Sequence, residues 1–170
     1  MDNLVLRNIS RFLLLILLQV FVLDRIYLGG YISTFLFVLA ILMLPTRMGK
    51  VPMLLLAFGT GLLVDLFSNM VGMHTFACTL VAFCRILFAD KILTRGDADV
   101  DLPCFVTVGF QQFAAYLFIL LFIYNFVYFF LAVFSLKDFG QILLSSLLST
   151  VVVWFLSLIY QILFTNNKNI

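Results

Sequence analysis

Six apolar segments, separated by short polar or glycine- and proline-containing connections, constrain the fold of this chain more than any single motif does. A helix perpendicular to the membrane needs roughly 20 apolar residues to cross the hydrocarbon core, and several of the segments approach or exceed that length. We therefore predict an all-α membrane protein, with residues 1–170 forming one integral membrane domain of six transmembrane helices of unequal length. The predicted spans cover approximately residues 4–23, 31–44, 52–64, 74–89, 105–134 and 139–164.

The composition excludes a soluble domain. Hydrophobic residues make up 65% of the chain and charged residues only 11%, whereas a soluble domain averages roughly 45–50% apolar and 25% charged residues. Nearly all of the chain must therefore lie in lipid or between membrane helices. The net charge of +2 comes from scattered residues and lacks the dense basic face of a nucleic-acid-binding protein, so we expect no nucleic-acid partner.

The predicted spans differ in length in ways that bear on their placement. The first has the basic start and apolar middle of a signal peptide, but no Ala-x-Ala-like site follows it, so we expect an uncleaved anchor. The second and third spans are shorter than a full crossing, so they must either include flanking interfacial residues or lie where the bilayer is thinned. The fifth exceeds one crossing, so its first turns are expected along the interface or in water.

Lysine and arginine residues predict the orientation, because cytoplasmic loops retain positive charge. If the N-terminus is inside, only Arg25 and Lys137 fall on the outer side. We therefore predict a multi-pass protein with both termini in the cytoplasm. The inner side then receives Arg7, Arg11, Arg47, Lys50, Arg85, Lys91, Arg95 and Lys168.

The segment from Gly61 to His74, at the outer end of the third span, places a carboxylate and the only histidine of the chain within apolar sequence. An ionisable group at membrane depth costs at least about 2.5 kcal/mol, so Asp65 is expected to face a protein contact or a watery cavity. If one helix continued through the segment, a single face suited to close helix packing would contain Gly61, Asp65, Asn69 and Gly72. In the alternative, Asp65 lies at a helix end, with Asn69 in a turn that Gly72 closes.

The last two spans carry further polar residues. On one face of the sixth span, small hydroxyl and amide side chains recur at Ser146, Thr150, Ser157 and Gln161. Such a face packs helices together or lines a transport route, and we favour packing because each hydroxyl can bond its own helix backbone. In the fifth span, residues four apart form pairs suited to interhelical hydrogen bonds, namely Gln112 with Tyr116 and Tyr124 with Tyr128.

Neither a catalytic site nor a cofactor site is expected. The chain has no glutamate, no Gly-x-Ser-x-Gly sequence and one histidine, and Asp65 lacks the second carboxylate that aspartyl chemistry requires. We therefore predict a non-enzymatic protein. We also expect no metal site, because His74 and Cys78 supply only two of the four ligands that a closed site usually needs. The cysteines, which are expected to pack as small hydrophobes, are Cys78, Cys84 and Cys104.

Several of these segments resemble a known family. The turn Leu44-Pro45, the segment from Gly59 to Asp65 and the segment from Gly72 to Ala77, together with the short early spans, are similar to the rod shape-determining protein MreD family. The resemblance covers most of the chain, although its definable motif is confined to about residues 57–77.

The resemblance also assigns candidate residues. By this resemblance, Gly61, Asp65 and Gly72 take the positions of the family's most recognisable motif. Together with Asn69 and His74 they form our candidate helix-packing or partner-binding site.

The function implied by the resemblance is that of a non-enzymatic subunit of the cell-elongation machinery in the bacterial inner membrane, which maintains rod shape. The implied partners are an MreC-like protein, a RodA-like glycosyltransferase with its class B penicillin-binding protein, and, directly or indirectly, MreB filaments. The machinery couples these cytoplasmic filaments to peptidoglycan synthesis.

The MreD family is also similar in architecture to the substrate-binding subunits of energy-coupling-factor vitamin transporters, so such a subunit is the alternative function. Two features speak against it. The stretch from Phe12 to Leu23 is built from large residues, whereas those subunits commonly carry an Ala-x-x-x-Ala face in the first span. The predicted outer loops are also short and poor in the convergent polar groups that a vitamin site requires.

Overall fold

A computed structural model describes Gln19 and residues 33–45, 48–92, 109–135 and 137–166. The first predicted span, apart from Gln19, and residues 93–108, which include Arg95 and Cys104, lie outside these residues. In the described part the chain is all-α, as predicted. Its five helices are α1 (Val38–Leu42), α2 (Lys50–Ser68), α3 (Met73–Ile92), α4 (Phe110–Val133) and α5 (Phe139–Asn166).

Three of these helices are long and apolar enough to cross a membrane: α2, α4 and the Phe139–Gln161 part of α5. At about 1.5 Å per residue, the 19 residues of α2 extend about 28 Å, close to the roughly 30 Å of a bilayer core. The predicted third span, over residues 52–64, was therefore too short at both ends. It stopped before Asp65, whereas the helix continues through this residue to Ser68.

The second predicted span, over residues 31–44, is not one continuous helix. Residues 33–35 have no regular structure, and α1 contains only five residues, all of them buried. The irregular backbone before α1 is hydrogen-bonded by distant side chains: Ser33 N–H donates to Ser149 Oγ and Leu36 N–H donates to Gln19 Oε1, both at 3.0 Å. Irregular backbone at membrane depth requires such burial within protein.

The long helices pack in sequence order: α3 contacts both α2 and α4, and α5 packs against α4. The short connections after α2 and α4 make antiparallel hairpins of α2 with α3 and of α4 with α5. Helices α3 and α4 are also antiparallel, because His74 at the beginning of α3 contacts Tyr124, whereas Arg85, further along α3, contacts the earlier residue Tyr116 of α4. The short helix α1 packs on α3, and its side chains are central to a core that includes Phe37, Leu39, Ile41, Leu117, Leu121 and Val153.

Candidate functional site

The carboxylate of Asp65, near the end of α2, caps the beginning of α3. One oxygen accepts the backbone N–H of His74 at 3.1 Å, and the other accepts the backbone N–H of Thr75 at 2.8 Å and its hydroxyl at 2.5 Å. The first N–H groups of a helix have no partner within the helix, and a side-chain oxygen usually satisfies them from the N-cap position. Here that position is Gly72, which has no side chain, so Asp65 supplies the oxygen from another helix.

The charge of Asp65 also suits this position. The aligned peptide dipoles of α3 place partial positive charge at its first turn, which favours an anion there. Asp65 is only 5% exposed, so the charge is removed from solvent and is stabilised by three donors from one helix end. The expectation that Asp65 faces a protein contact fits this arrangement.

Gly61 lies one turn before Asp65 and allows the two helices to approach closely. A Cβ atom added at Gly61 would lie 2.5 Å from Thr75 Cα and 2.7 Å from the carbonyl oxygen of His74. Real Cβ atoms essentially never make contacts this short with backbone atoms. The spacing of four residues places Gly61 and Asp65 on the same face of α2, where one provides space and the other provides hydrogen bonds.

Asn69 and Gly72 shape the turn between α2 and α3. Asn69 has a left-handed backbone (φ 53°), and Gly72 also has a positive φ of 74°. Asparagine and glycine tolerate this conformation better than other residues do. The helix therefore does not continue through the segment, so the structure agrees with the alternative in which Asn69 lies in a turn that Gly72 closes, except that the helix ends at Ser68 and not at Asp65. Asn69 is exposed and does not join the contact that Gly61 and Asp65 make.

His74 is buried among aromatic rings, with only 2% of its surface exposed. A hydrogen bond of 2.6 Å joins its Nδ1 to Tyr124 Oη on α4. Its ring stacks on Tyr128 at a centroid distance of 4.6 Å and meets the edge of Phe35 at 5.0 Å. His74 thus ties the capped end of α3 both to α4 and to the irregular segment before α1.

Of the five candidate residues, the structure brings three together: Gly61, Asp65 and His74. Gly72 shapes the backbone of the turn, and Asn69 ends α2 at an exposed position. The three residues in contact join α2 to α3, and His74 also joins α3 to α4 and to the irregular segment before α1. The motif therefore lies where these four parts of the fold meet.

Sequence reasoning missed a second polar cluster, around Arg85 in α3. Arg85 was counted only as a positive charge on the inner side, yet its side chain is just 1% exposed. Its guanidinium group donates to the carbonyl oxygen of Ile41 at 3.0 Å, to that of Leu44, and to Tyr116 Oη at 3.0 Å. Tyr116 in turn donates to the carbonyl oxygen of Leu42 at 3.4 Å.

These acceptors identify the role of Arg85. The last carbonyl groups of a helix lack partners within the helix and carry partial negative charge. Arg85, directly and through Tyr116, adds hydrogen bonds to the carbonyl groups of Ile41 and Leu42 at the end of α1 and of Leu44 just after it. An arginine within a long apolar segment was the signal available in the sequence, because a cation at that depth needs buried partners.

A third polar contact lies between α4 and α5. Asn125 donates through Nδ2 to the carbonyl oxygen of Leu121 at 3.0 Å and to Thr150 Oγ1 at 3.1 Å. Thr150 donates to the carbonyl oxygen of Ser146 at 2.7 Å. The polar residues predicted on the sixth span are buried, and Thr150 forms an interhelical hydrogen bond.

The arrangement around Asp65 holds helices in position. Each carboxylate oxygen already accepts a backbone N–H from α3, and Tyr124 occupies one ring nitrogen of His74. Among the residues that the structure describes, no group of three or more His, Cys, Asp or Glu side chains could hold a metal ion. Cys78 and Cys84 are free thiols, and Cys78 is buried in α3.

By length and composition, the described helices belong to the class of multi-span helical membrane proteins. Comparisons of the chain with protein-family models, with curated proteins and with solved structures gave no match. The particular function therefore has to be inferred from the motif and from the contacts that it makes.

Proposed function

We propose that this chain is a non-enzymatic inner-membrane subunit of the bacterial cell-elongation machinery, of the MreD type. In this role it links an MreC-like protein, and a RodA-like glycosyltransferase with its class B penicillin-binding protein, to cytoplasmic MreB filaments. The proposal rests on the resemblance of residues 57–77 to the motif of that family. The finer architecture that accompanies it, six spans arranged as in the substrate-binding subunits of energy-coupling-factor transporters, is part of the same proposal.

The observation that carries a scaffolding role is the use of Asp65. A carboxylate in apolar sequence usually marks a proton pathway, a substrate site or a structural contact. Here three donors from the first turn of α3 occupy it. The motif residues Gly61 and Asp65 therefore act on the chain's own fold, which supports a protein that presents rigid surfaces to its partners.

The same observation changes what the motif is proposed to do. Gly61 and Asp65 are buried against α3, so a partner helix does not reach them without opening the hairpin of α2 and α3. We propose that partners bind other surfaces, and that the motif affects them indirectly by setting the angle and spacing of α2.

The test combines depletion of the chain in its native cells with recovery of its complexes. Depletion is expected to widen or round the cells, and the affinity-tagged chain, purified from gently solubilised membranes, is expected to carry the MreC-like protein with it. A chain with Asp138→Ala, altered at an exposed residue in the connection between α4 and α5, serves as the control variant. It should retain both cell shape and the partner.

The competing function gives a different result. A substrate-binding subunit of a vitamin transporter would leave cell shape unchanged on depletion and would reduce the uptake of a labelled vitamin. Normal shape with a specific uptake defect would overturn the proposal, and so would normal shape with no recovered elongation protein.

A further inference from the structure

One face of α5 carries buried polar side chains over much of its length. Ser146, Thr150, Ser157 and Gln161 are each no more than 1% exposed. At about 1.5 Å per residue, the row extends about 22 Å along the helix, which is most of the thickness of a bilayer core. It divides into two parts that differ in how their hydrogen bonds are satisfied.

In the first part both hydroxyl groups have partners within the protein, although among the described residues the nearby Asn125 Oδ1 has none. Ser146 Oγ donates to the carbonyl oxygen of Leu143 at 2.9 Å, and Thr150 both donates to Ser146 and accepts from Asn125. This part of the row joins α5 to α4 by direct contact.

The second part is not satisfied in this way. Within the described residues, neither Ser157 Oγ nor Gln161 Nε2 has a hydrogen-bond partner, although both atoms are fully buried. A buried polar group without a partner costs about 1–3 kcal/mol. Two such groups one helical turn apart would therefore destabilise the folded state considerably.

We propose that Ser157 Oγ and Gln161 Nε2 form a binding site for an internal water molecule, which bridges them. Side chains four residues apart on a helix have Cβ atoms about 5–6 Å apart. The two side chains therefore project from neighbouring positions on the same side of α5, as a shared water molecule requires. Internal water typically binds where polar groups would otherwise stay unpaired, whereas apolar cavities stay dry.

The chemistry at the site suits water better than it suits an ion. The serine hydroxyl can donate or accept, and the glutamine NH2 group donates. Neither side chain carries charge, so the pair offers no compensation for an ion in an apolar bundle. A small neutral molecule with both donor and acceptor capacity fits both groups.

The experiment detects water next to Gln161 by nuclear magnetic resonance. The full chain is prepared in micelles with ¹⁵N in its glutamine side chains, and magnetisation transfer from water to the side-chain amide protons is measured. A Gln161→Leu variant identifies the Gln161 signals by their loss. The exposed residues Gln112 and Gln141 are the positive controls for contact with water.

We expect a water cross-peak at the Gln161 amide protons despite the burial of this residue. Ser157→Ala removes one of the two polar groups and should weaken that cross-peak by at least about threefold, because water needs several polar partners to stay bound. Ser157→Thr keeps the hydroxyl and should retain the cross-peak.

Two results would overturn the proposal. The first is the absence of a water cross-peak at Gln161 in the unaltered chain while Gln112 and Gln141 show theirs. The second is a cross-peak of unchanged intensity in Ser157→Ala, which would mean that any nearby water does not depend on the serine.

Discussion

Replacement of Asp65 should strongly destabilise the hairpin of α2 and α3. Asp65→Ala removes the acceptor from the two backbone N–H groups of His74 and Thr75 and from the Thr75 hydroxyl. Each buried donor left without a partner costs about 1–3 kcal/mol, and loss of an ordinary helix N-cap costs about 0.5–2 kcal/mol. We expect Asp65→Ala to lower the free energy of unfolding by about 3–5 kcal/mol, since two N–H groups lose their partner together.

Asp65→Asn should cost less, about 1.5–3 kcal/mol, because the amide keeps one oxygen acceptor and loses the other together with the negative charge. The assay is chemical denaturation of the purified chain in micelles, followed through the fluorescence of Trp154, the single tryptophan of the chain. Trp154 donates from Nε1 to the carbonyl oxygen of Ala114 on α4, so its environment changes when α5 separates from α4.

Two controls show whether the loss comes from the cap. Asp138→Ala, at an exposed position, should change the free energy of unfolding by less than about 0.5 kcal/mol. Thr75→Val combined with Asp65→Ala should cost less than the sum of the two single changes, by about 0.5 kcal/mol or more, because both variants break the same hydrogen bond. If Asp65→Ala proves as mild as Asp138→Ala, the proposed cap contributes nothing to stability.

Three further substitutions test other contacts, with the free energy of unfolding measured in the same denaturation assay. Gly61→Ala should destabilise by about 2 kcal/mol or more because its Cβ would meet the backbone of α3. Gly59, by contrast, has open space around it, so Gly59→Ala should be neutral or stabilise by about 0.5–1 kcal/mol. Equal effects of the two substitutions would contradict the close approach of α2 and α3. Arg85→Lys should destabilise by about 2–4 kcal/mol because a lysine cannot reproduce the hydrogen bonds of the guanidinium group. Tyr116→Phe, which removes one hydroxyl from the same cluster, should cost about 1 kcal/mol. An Arg85→Lys variant of unchanged stability would show that the carbonyl groups need only a positive charge nearby. Phe134→Gly should stabilise by about 0.5–1 kcal/mol, since Phe134 has a left-handed backbone (φ 45°) and the residue is 78% exposed. A loss of stability would mean that the ring contributes more than the backbone strain costs.

The membrane class and the approximate positions of the long helices could be predicted from sequence because they depend on composition and length. Predicted and observed helices agree within a few residues at the beginning of α3 and at both ends of α5. The end of α2 was harder to place. The sequence left two alternatives at Asp65, a helix that continues through the segment and a helix end at this residue, and the structure has the helix end three residues later, at Ser68.

The partner of Asp65 could not be deduced from residue types. Its carboxylate accepts hydrogen bonds from the backbone N–H groups of residues nine and ten positions further along the chain. Every residue except proline carries such a group. The same limit applied to Arg85, whose partners include backbone carbonyl groups more than 40 residues away. Sequence patterns can show that a charge needs a partner, but they do not show which helix end provides it.

The short helix α1 was missed for a related reason. Hydropathy records that residues 31–44 are apolar, but the break before α1 depends on two side chains that satisfy its irregular backbone. Those side chains, Gln19 and Ser149, lie 17 and 116 residues away from their partners. Because the compensation is distant in sequence, a continuous helix and a broken one have the same local pattern.

The two buried charged residues in the described part of the chain share one physical principle. Asp65, an anion, contacts the first turn of α3, and Arg85, a cation, contacts the last carbonyl groups of α1. Each charge is therefore opposite in sign to the partial charge of the helix end that it meets. A helix end buried without partners is costly, and so is an isolated buried charge, but each satisfies the other when the signs are opposite.

This pairing explains how the chain holds a carboxyl group and a guanidinium group in apolar surroundings without placing them next to each other. It also limits the part that these groups can play in function, because their hydrogen-bonding capacity is largely used within the fold. A partner or ligand would have to outcompete several short hydrogen bonds to reach either group. Recognition by this protein should therefore depend on surfaces that Asp65 and Arg85 hold in place, and substitutions at these two residues should alter partner binding only in proportion to the stability that they remove.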